Sequence, residues 1–221
     1  MERLREHYRV ISHDKGIFWN IVLSVALFAL SVYATMTAYN YTQTAKSLVV
    51  NDLILDHIPT LNVQFLFFGG IAFLIIVPLI IAFLDPRKLP FGLEVTAIFF
   101  LIRAFFMVLT HVAPPNIQYY HYFASAPAAA NHAAQALFSV SSGTDMFFSG
   151  HTGYPFLLAL MLWKTKWLRN LFLGFSVLMA ATVLFGHLHY SIDVFAAYFI
   201  AYGVFRMSKR YFWKEYKLMH E

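Results

Sequence analysis

Long apolar runs with almost no charge constrain this chain more than any other feature. Ile17–Thr37, Val63–Leu84 and Glu94–Thr110 are such runs. A bilayer core about 30 Å thick is crossed by roughly 20 apolar residues as helix, because the backbone must satisfy its own hydrogen bonds there. Three further stretches, Gly150–Trp163, Asn170–Phe185 and Tyr190–Phe205, are shorter and carry polar ends. They read as three more spans, with a pair of re-entrant segments as the alternative. Composition agrees: 60% of the 221 residues are hydrophobic and 12% charged, about half the charged share of a soluble domain. The expected fold is all-α, a six-span transmembrane helix bundle forming a single integral-membrane domain over residues 1–221. With no cysteine in the chain, disulfides, zinc–thiolate sites and cysteine catalysis are excluded.

Basic residues set the expected orientation. Arg3, Arg5, Arg9 and Lys15 precede the first run, and Arg87 and Lys88 lie in the turn after the second. Lys164, Lys166 and Arg169 separate the fourth and fifth, while Arg206, Lys209, Arg210, Lys214 and Lys217 follow the sixth. These are all but two, Lys46 and Arg103, of the 16 lysines and arginines. Cationic connections stay cytoplasmic, so both termini are expected inside, and residues 38–62, 111–149 and 186–189 outside. The net charge of +5 is then a cytoplasmic collar and argues for no nucleic-acid partner. No small-residue cleavage site follows a short apolar core near the start, so the first run reads as an anchor. The segment 111–149 carries no Lys or Arg; its Ala-rich run at 127–137 predicts a short helix at the interface.

Polar residues at membrane depth are costly, so two clusters stand out. Ser149-Gly150-His151-Thr152 opens the fourth run, and His187-Leu188-His189-Tyr190-Ser191-Ile192-Asp193 opens the sixth. The charge pattern puts both at the same, non-cytoplasmic face. His189 and Asp193 are four apart and share one face of a helix. A carboxylate there takes the proton of one imidazole nitrogen and leaves the other as a nucleophile. His151 begins a helix, where backbone N–H groups and the dipole favour an anion, and it is placed to protonate a leaving oxygen. Arg103, late in the third run, calls for a phosphate or a carboxylate such as Asp145 or Asp193 as its partner. The competing readings are a helix–helix hydrogen bond for each histidine, a snorkelling arginine, and a solvated loop charge for Asp145. His187 reads as structural before chemical. Asp52, Asp56 and His57 read as an ordinarily solvated loop group, and Glu94 as interfacial. Tyr119–Tyr122 is either an aromatic wall for a cationic headgroup or an interfacial anchor.

The paired motifs resemble those of the type 2 phosphatidic acid phosphatase superfamily, and more closely its sphingomyelin synthase branch. There they read Asp-Tyr-Leu-Tyr-Ser-Gly-His-Thr and His-Tyr-Thr-(Ile/Val)-Asp-Val. Here Asp145-Met146-Phe147-Phe148-Ser149-Gly150-His151-Thr152 and His189-Tyr190-Ser191-Ile192-Asp193-Val194 stand in their place. The stretch from Arg103 to Pro115 is similar to a third segment of that branch, and the motif-bearing core covers approximately 90–205. The resemblance implies that His189 attacks phosphorus, Asp193 orients it and His151 protonates the departing alcohol. Asp145, Arg103, Ser149, Gly150 and Tyr190 become substrate-binding candidates. The broader phosphatase branch carries a Lys-x6-Arg-Pro segment and a Ser-Arg pair before the second histidine. Neither is present; Val183 stands six before His189. Those cations balance a phosphomonoester dianion, so a site with Arg103 alone fits a singly charged phosphodiester better.

The leading expectation is a multi-pass lipid phosphotransferase with its active site at the non-cytoplasmic face. A phospho-headgroup would pass through a phosphohistidine to ceramide, diacylglycerol or water, with no metal or other cofactor. Its partners would be the bilayer, phospholipid and lipid-alcohol substrates; a homo-oligomer is compatible with the sequence. One alternative is a phosphatase acting on phosphatidate or an isoprenoid phosphate. Another, of a different class, is a non-catalytic proton, metal or haem carrier that uses His151, His187, His189 and Asp193 as ligands.

Overall fold

The computed structural model describes residues 15–45, 48–116 and 147–220, and every element among them is helical. In chain order these are α1 (Lys15–Thr44), α2 (Gln64–Leu84), α3 (Leu89–Leu109), α4 (Gly150–Met161), α5 (Lys166–Phe185), α6 (Ser191–Tyr211) and the short α7 (Trp213–Leu218). Single 3₁₀ turns at Leu55–His57 and Pro86–Lys88 lie in the connections before α2 and α3. Helix thus occurs in all six apolar stretches. Four segments are long and apolar enough to cross a membrane: Gly16–Thr42, Gln64–Leu84, Pro86–Leu109 and Lys166–Phe185. They mark an integral membrane protein. The 12 residues of α4 reach only about 18 Å. Asp145, the Tyr119–Tyr122 cluster and the Ala-rich run at 127–137 lie outside the described residues.

The bundle is built for lipid as solvent. On α1 the face turned to α3 is small or hydroxylic: Ser24, Ser31, Thr35, Ala38 and Thr42 are all buried. Leu23, Leu30 and Tyr33 point outward and are 65%, 54% and 70% exposed. Small residues let two backbones approach where no hydrophobic force drives helices together. The hydroxyls donate to their own helix, Ser31 to the Phe28 carbonyl at 2.7 Å and Thr35 to the Ser31 carbonyl at 2.8 Å. The seam hydroxyls are thus satisfied within their own helix, whereas Oε2 of Glu94 is buried with no hydrogen-bond partner among the described residues. Glu94 corrects an expectation. It is buried rather than interfacial, and its Oε1 accepts from the Ser24 hydroxyl at 3.0 Å.

A second, tightly packed layer holds the functional end. Phe91, Val95 and Phe99 of α3 meet Leu157 of α4 and Ala197 and Ala201 of α6 in one fully buried cluster. Gly153 is the closest point: a Cβ there would lie 3.0 Å from the Phe99 Cζ and 3.3 Å from the Ala197 Cβ. Gly174 on α5, by contrast, faces open space. Gly153→Val is therefore expected to destabilise by about 1–3 kcal/mol through overpacking. Gly174→Ala is expected to stabilise by about 0.5–1 kcal/mol through helix propensity. Thermal unfolding of the detergent-purified variants reads both signs.

Candidate active site

The two polar clusters meet because two helices begin side by side. Ser149 is the N-cap of α4, its Oγ accepting from the Thr152 N–H at 3.4 Å. Its own N–H donates to the Asp193 carbonyl, in the first turn of α6, at 3.1 Å. That bond spans 44 positions of sequence and fixes the first turn of α4 against that of α6. Ser176 of α5 adds a second tie, donating to the Thr152 carbonyl at 2.7 Å.

His151 and His189 consequently face each other, with ring centroids 5.8 Å apart and planes inclined by 56°. Nδ1 of His189 lies 3.5 Å from Oδ2 of Asp193. The same carboxylate oxygen accepts the Tyr190 N–H at 2.9 Å, which holds it in place. Phe67 of α2 covers the other side of His151 at a ring distance of 4.5 Å. His151, His189 and Asp193 are 7%, 4% and 2% exposed, so their electrostatics are not diluted by bulk water. Nδ1 of His151 has no hydrogen-bond partner among the described residues.

Arg103 completes the positive side. It is buried, and its Nε donates to the Phe148 carbonyl, one residue before the α4 cap, at 3.1 Å. Gly150 lies under this side chain: a Cβ at that position would be 3.2 Å from Nε and 3.7 Å from Cζ. A side chain there would require the guanidinium to shift by a few tenths of an ångström from the helix start. A cation, a helix N-terminus and two imidazoles thus converge, an arrangement that suits an oxyanion.

The two helix starts are electrostatically different. Around α6, backbone donors are already taken by carboxylates: Tyr190 N–H by Asp193, and Ser191 N–H by Oδ2 of Asp52 at 2.6 Å. Around α4, the N–H groups of Gly150 and His151 have no acceptor among the described residues. An anionic oxygen is therefore favoured at the start of α4 over that of α6.

Six of the eight site residues read from the sequence gather here: His151, His189, Asp193, Arg103, Ser149 and Gly150. Asp145 falls outside the described residues. Tyr190 is placed differently. Its hydroxyl donates to the Ala113 carbonyl at 2.9 Å and accepts from the Val50 N–H at 3.2 Å, and it is 2% exposed. It braces the connections before α2 and after α3 on α6, and its hydroxyl is held by those two bonds. His187 adopts a left-handed backbone, φ 47°, and its Nε2 donates to the Ile58 carbonyl at 3.2 Å. That ties the α5–α6 turn to the connection before α2.

Asp52 is a positioning residue that the sequence reading passed over as solvated. It is buried, with Oδ1 accepting the Ile54 and Leu55 N–H groups at 2.9 and 3.1 Å and Oδ2 capping α6. A pocket of 300 Å³ beside it is walled by Asp52, Thr110, Phe147, Ser191, Ile192 and Asp193, and neither histidine lines it. Among the described residues no three His, Asp or Glu side chains converge as a metal site.

Residues 143–210 match the family described as PAP2 superfamily C-terminal. The match supports the PAP2 superfamily. It covers α4, α5 and nearly all of α6, hence both histidines and Asp193. PAP2 proteins are generally phosphatases or phosphotransferases. None of the curated proteins compared with the chain matches it.

Burial raises the Asp52 carboxyl, but hydrogen bonds from Ser191, Leu55 and Ile54 outweigh it, and the pKa lies below the ordinary 3.8. A depressed carboxylate pKa stabilises the fold above the unfolded value and loses that contribution as pH falls through the folded one. Asp52→Asn is expected to destabilise by about 1.5–3 kcal/mol at pH 7, the range for hydrogen bonds to a charged group. The gap to wild type should narrow below about pH 4. Unfolding midpoints from pH 3 to 7 measure it.

Proposed function

We propose that the chain is an integral-membrane lipid phosphotransferase of the sphingomyelin-synthase-like type. The observation that carries the reading is the convergence of His151 and His189, 5.8 Å apart, with Asp193 on Nδ1 of His189. Asp193 keeps the proton on Nδ1, so the Nε2 lone pair attacks phosphorus. The phosphorus–oxygen bond to the glycerol moiety breaks, and protonated His151 passes its proton to that oxygen, releasing diacylglycerol. The phospho-headgroup then sits on His189. Neutral His151 takes the proton of an acceptor hydroxyl, the acceptor oxygen attacks phosphorus, and the bond to His189 breaks. Ceramide, diacylglycerol or water completes the cycle according to which hydroxyl enters.

Charge matching supports a diester donor. Arg103 and the open end of α4 face one anionic charge, whereas Asp52 and Asp193 add negative potential beside them. A monoester dianion would meet that potential with one more uncompensated charge. For the bundle we propose six spans, both termini cytoplasmic and the site at the opposite face, which the alternation of basic connections supports. Because the chain has no cysteine, single cysteines report orientation directly. Thr60→Cys is expected to react with an impermeant maleimide from outside intact cells, and Lys214→Cys only after the membrane is opened. The reverse pattern would invert the topology.

His189→Ala is expected to lower turnover by at least about 10⁴-fold, and His151→Ala by about 10²–10⁴-fold, with the unfolding midpoints retained. The decisive assay incubates the protein with phosphatidylcholine, phosphatidylethanolamine or phosphatidate, with and without ceramide, and reads products by mass spectrometry. Headgroup transfer to ceramide is the expected result. Phosphate release from phosphatidate alone, with diesters untouched, would replace the transferase by a phosphatase.

A further inference from the structure

The end of the bundle away from the histidines contains two adjoining cavities. One, of 450 Å³, is almost wholly apolar, within the roughly 300–1,000 Å³ of small-molecule sites. Phe28 and Val32 of α1 and Pro78 and Ala82 of α2 form two of its walls, and Gly92 and Leu158 its floor. α1 rests mainly on α3 and α2 on α5, so the space between α1 and α2 is a lateral cleft. The second cavity, of 210 Å³, is polar: Asp85, Arg87, Lys88, Lys164, Thr165 and His220 surround it. Lys88, Met161, Leu162 and Met219 line both, so the apolar space lies directly against the polar one.

Among the described residues that line the polar chamber, positive charges outnumber negative ones. Asp85 pairs with Arg87 and Lys88, and these two cations hold its carboxyl down at about 2 against burial. Lys164 adds a third positive charge to that one carboxylate. Burial first, with Lys164, Lys209 and Lys88 adding to it, lowers the His220 pKa against the hydrogen bond to Tyr216, which raises it. A chamber with excess positive charge lying against an apolar cleft matches an amphiphile with an anionic head and an acyl tail.

We propose that this end of the bundle is a second lipid site, which binds an anionic phospholipid of the cytoplasmic leaflet with its phosphate in the Arg87–Lys88–Lys164 chamber and an acyl chain in the cleft between α1 and α2. The polar chamber lies at the opposite end of α3 from Arg103, about 20 Å away along the helix, and the cleft runs from it up to Phe100 and Tyr154. It takes no part in the chemistry, and it stands whether the histidine site is a transferase or a phosphatase. Its role is to hold α2 against the rest of the bundle, since α2 carries Phe67 against His151.

Two variants separate head from tail. Lys164→Glu reverses one charge at an exposed position. Gly92→Phe fills the cleft from a position where a Cβ meets nothing within 4 Å. The detergent-purified full chain is titrated with phosphatidylglycerol or phosphatidylcholine of identical acyl chains, and apparent affinity is read from the unfolding midpoint. Wild type is expected to prefer phosphatidylglycerol, and Lys164→Glu to lose at least about fivefold of that preference. Gly92→Phe is expected to weaken both lipids with its lipid-free midpoint retained; if that midpoint falls, Gly92→Leu replaces it. The preference should persist in Arg103→Gln protein, which lacks the cation placed at the histidine site and so separates the two sites. Equal affinity of wild type for the two lipids would overturn the proposal. So would a preference unchanged by Lys164→Glu, because the cleft would then hold a tail entering from the histidine end.

Discussion

One backbone hydrogen bond organises the functional end of this protein: the Ser149 N–H on the Asp193 carbonyl. It joins residues that are neither neighbours in sequence nor part of one helix, and it fixes the relative height of α4 and α6. A slip of one helical residue, about 1.5 Å along either axis, would move His151 past His189 and separate their rings. The contact uses main-chain atoms, so its geometry does not depend on which side chains stand there. What the side chains contribute is the permission to approach. Gly150 leaves room for Arg103, and Gly153 leaves room for Phe99 and Ala197. Two glycines three residues apart thus serve two faces of one short helix, one toward the cation and one toward the core.

The distribution of polarity follows from lipid outside and protein inside. Large apolar side chains of α1 and α2 point away from the bundle, while serines and threonines are turned inward. In a soluble protein that pattern would be inverted. It leaves α1 with a weak drive to pack, so its seam to α3 relies on close approach and on Ser24 reaching Glu94. The tight hydrophobic cluster lies instead among α3, α4 and α6, the helices that carry Arg103, His151 and Asp193. Rigidity is concentrated where three charged or titratable groups must hold position.

Much of this was legible in the sequence, and the misses have common causes. The apolar runs located every long helix, because a membrane imposes length and composition together. Some ends moved outward: α1 runs Lys15–Thr44 rather than from Ile17 to Thr37, and α3 begins at Leu89 rather than Glu94, whereas α4 stops at Met161, short of Trp163. A helix continues past the apolar run as long as its backbone bonds are satisfied, which hydropathy does not register. The convergence of both histidines was readable from motif spacing and charge alternation. Asp52 was not, because its partner Ser191 is 139 positions away, and a carboxylate in a polar loop looks solvated until the fold closes over it. Phe67 was invisible for a similar reason: one phenylalanine among 24 gives no sign of which one lies against an imidazole. Glu94 looked interfacial because only the packing of α1 shows that it is covered. Tyr190 sits within a motif, yet its hydroxyl is spent on Ala113 and Val50.

The shortness of α4 has a consequence for where chemistry takes place. If its end near Trp163 and Lys164 sits at a membrane surface, about 18 Å of helix brings His151 only part of the way through a core about 30 Å thick. From Arg206 back to Ser191 along α6, and from Leu89 up to Arg103 along α3, the same arithmetic gives about 20–22 Å. On the proposed orientation, three helices put the imidazoles below the opposite surface rather than at it. On the proposed function, a charged phosphate at that depth needs both a polar path and compensation on arrival. Arg103 and the open first turn of α4 supply the compensation, and the carboxylate-saturated start of α6 repels an anion from the alternative position. The segments over the site, stapled by Asp52 on Ser191, Tyr190 on Ala113 and His187 on Ile58, are then the walls of that path. Their hydrogen bonds keep backbone polar groups satisfied at a depth where non-helical chain survives only against protein or a water-filled cavity.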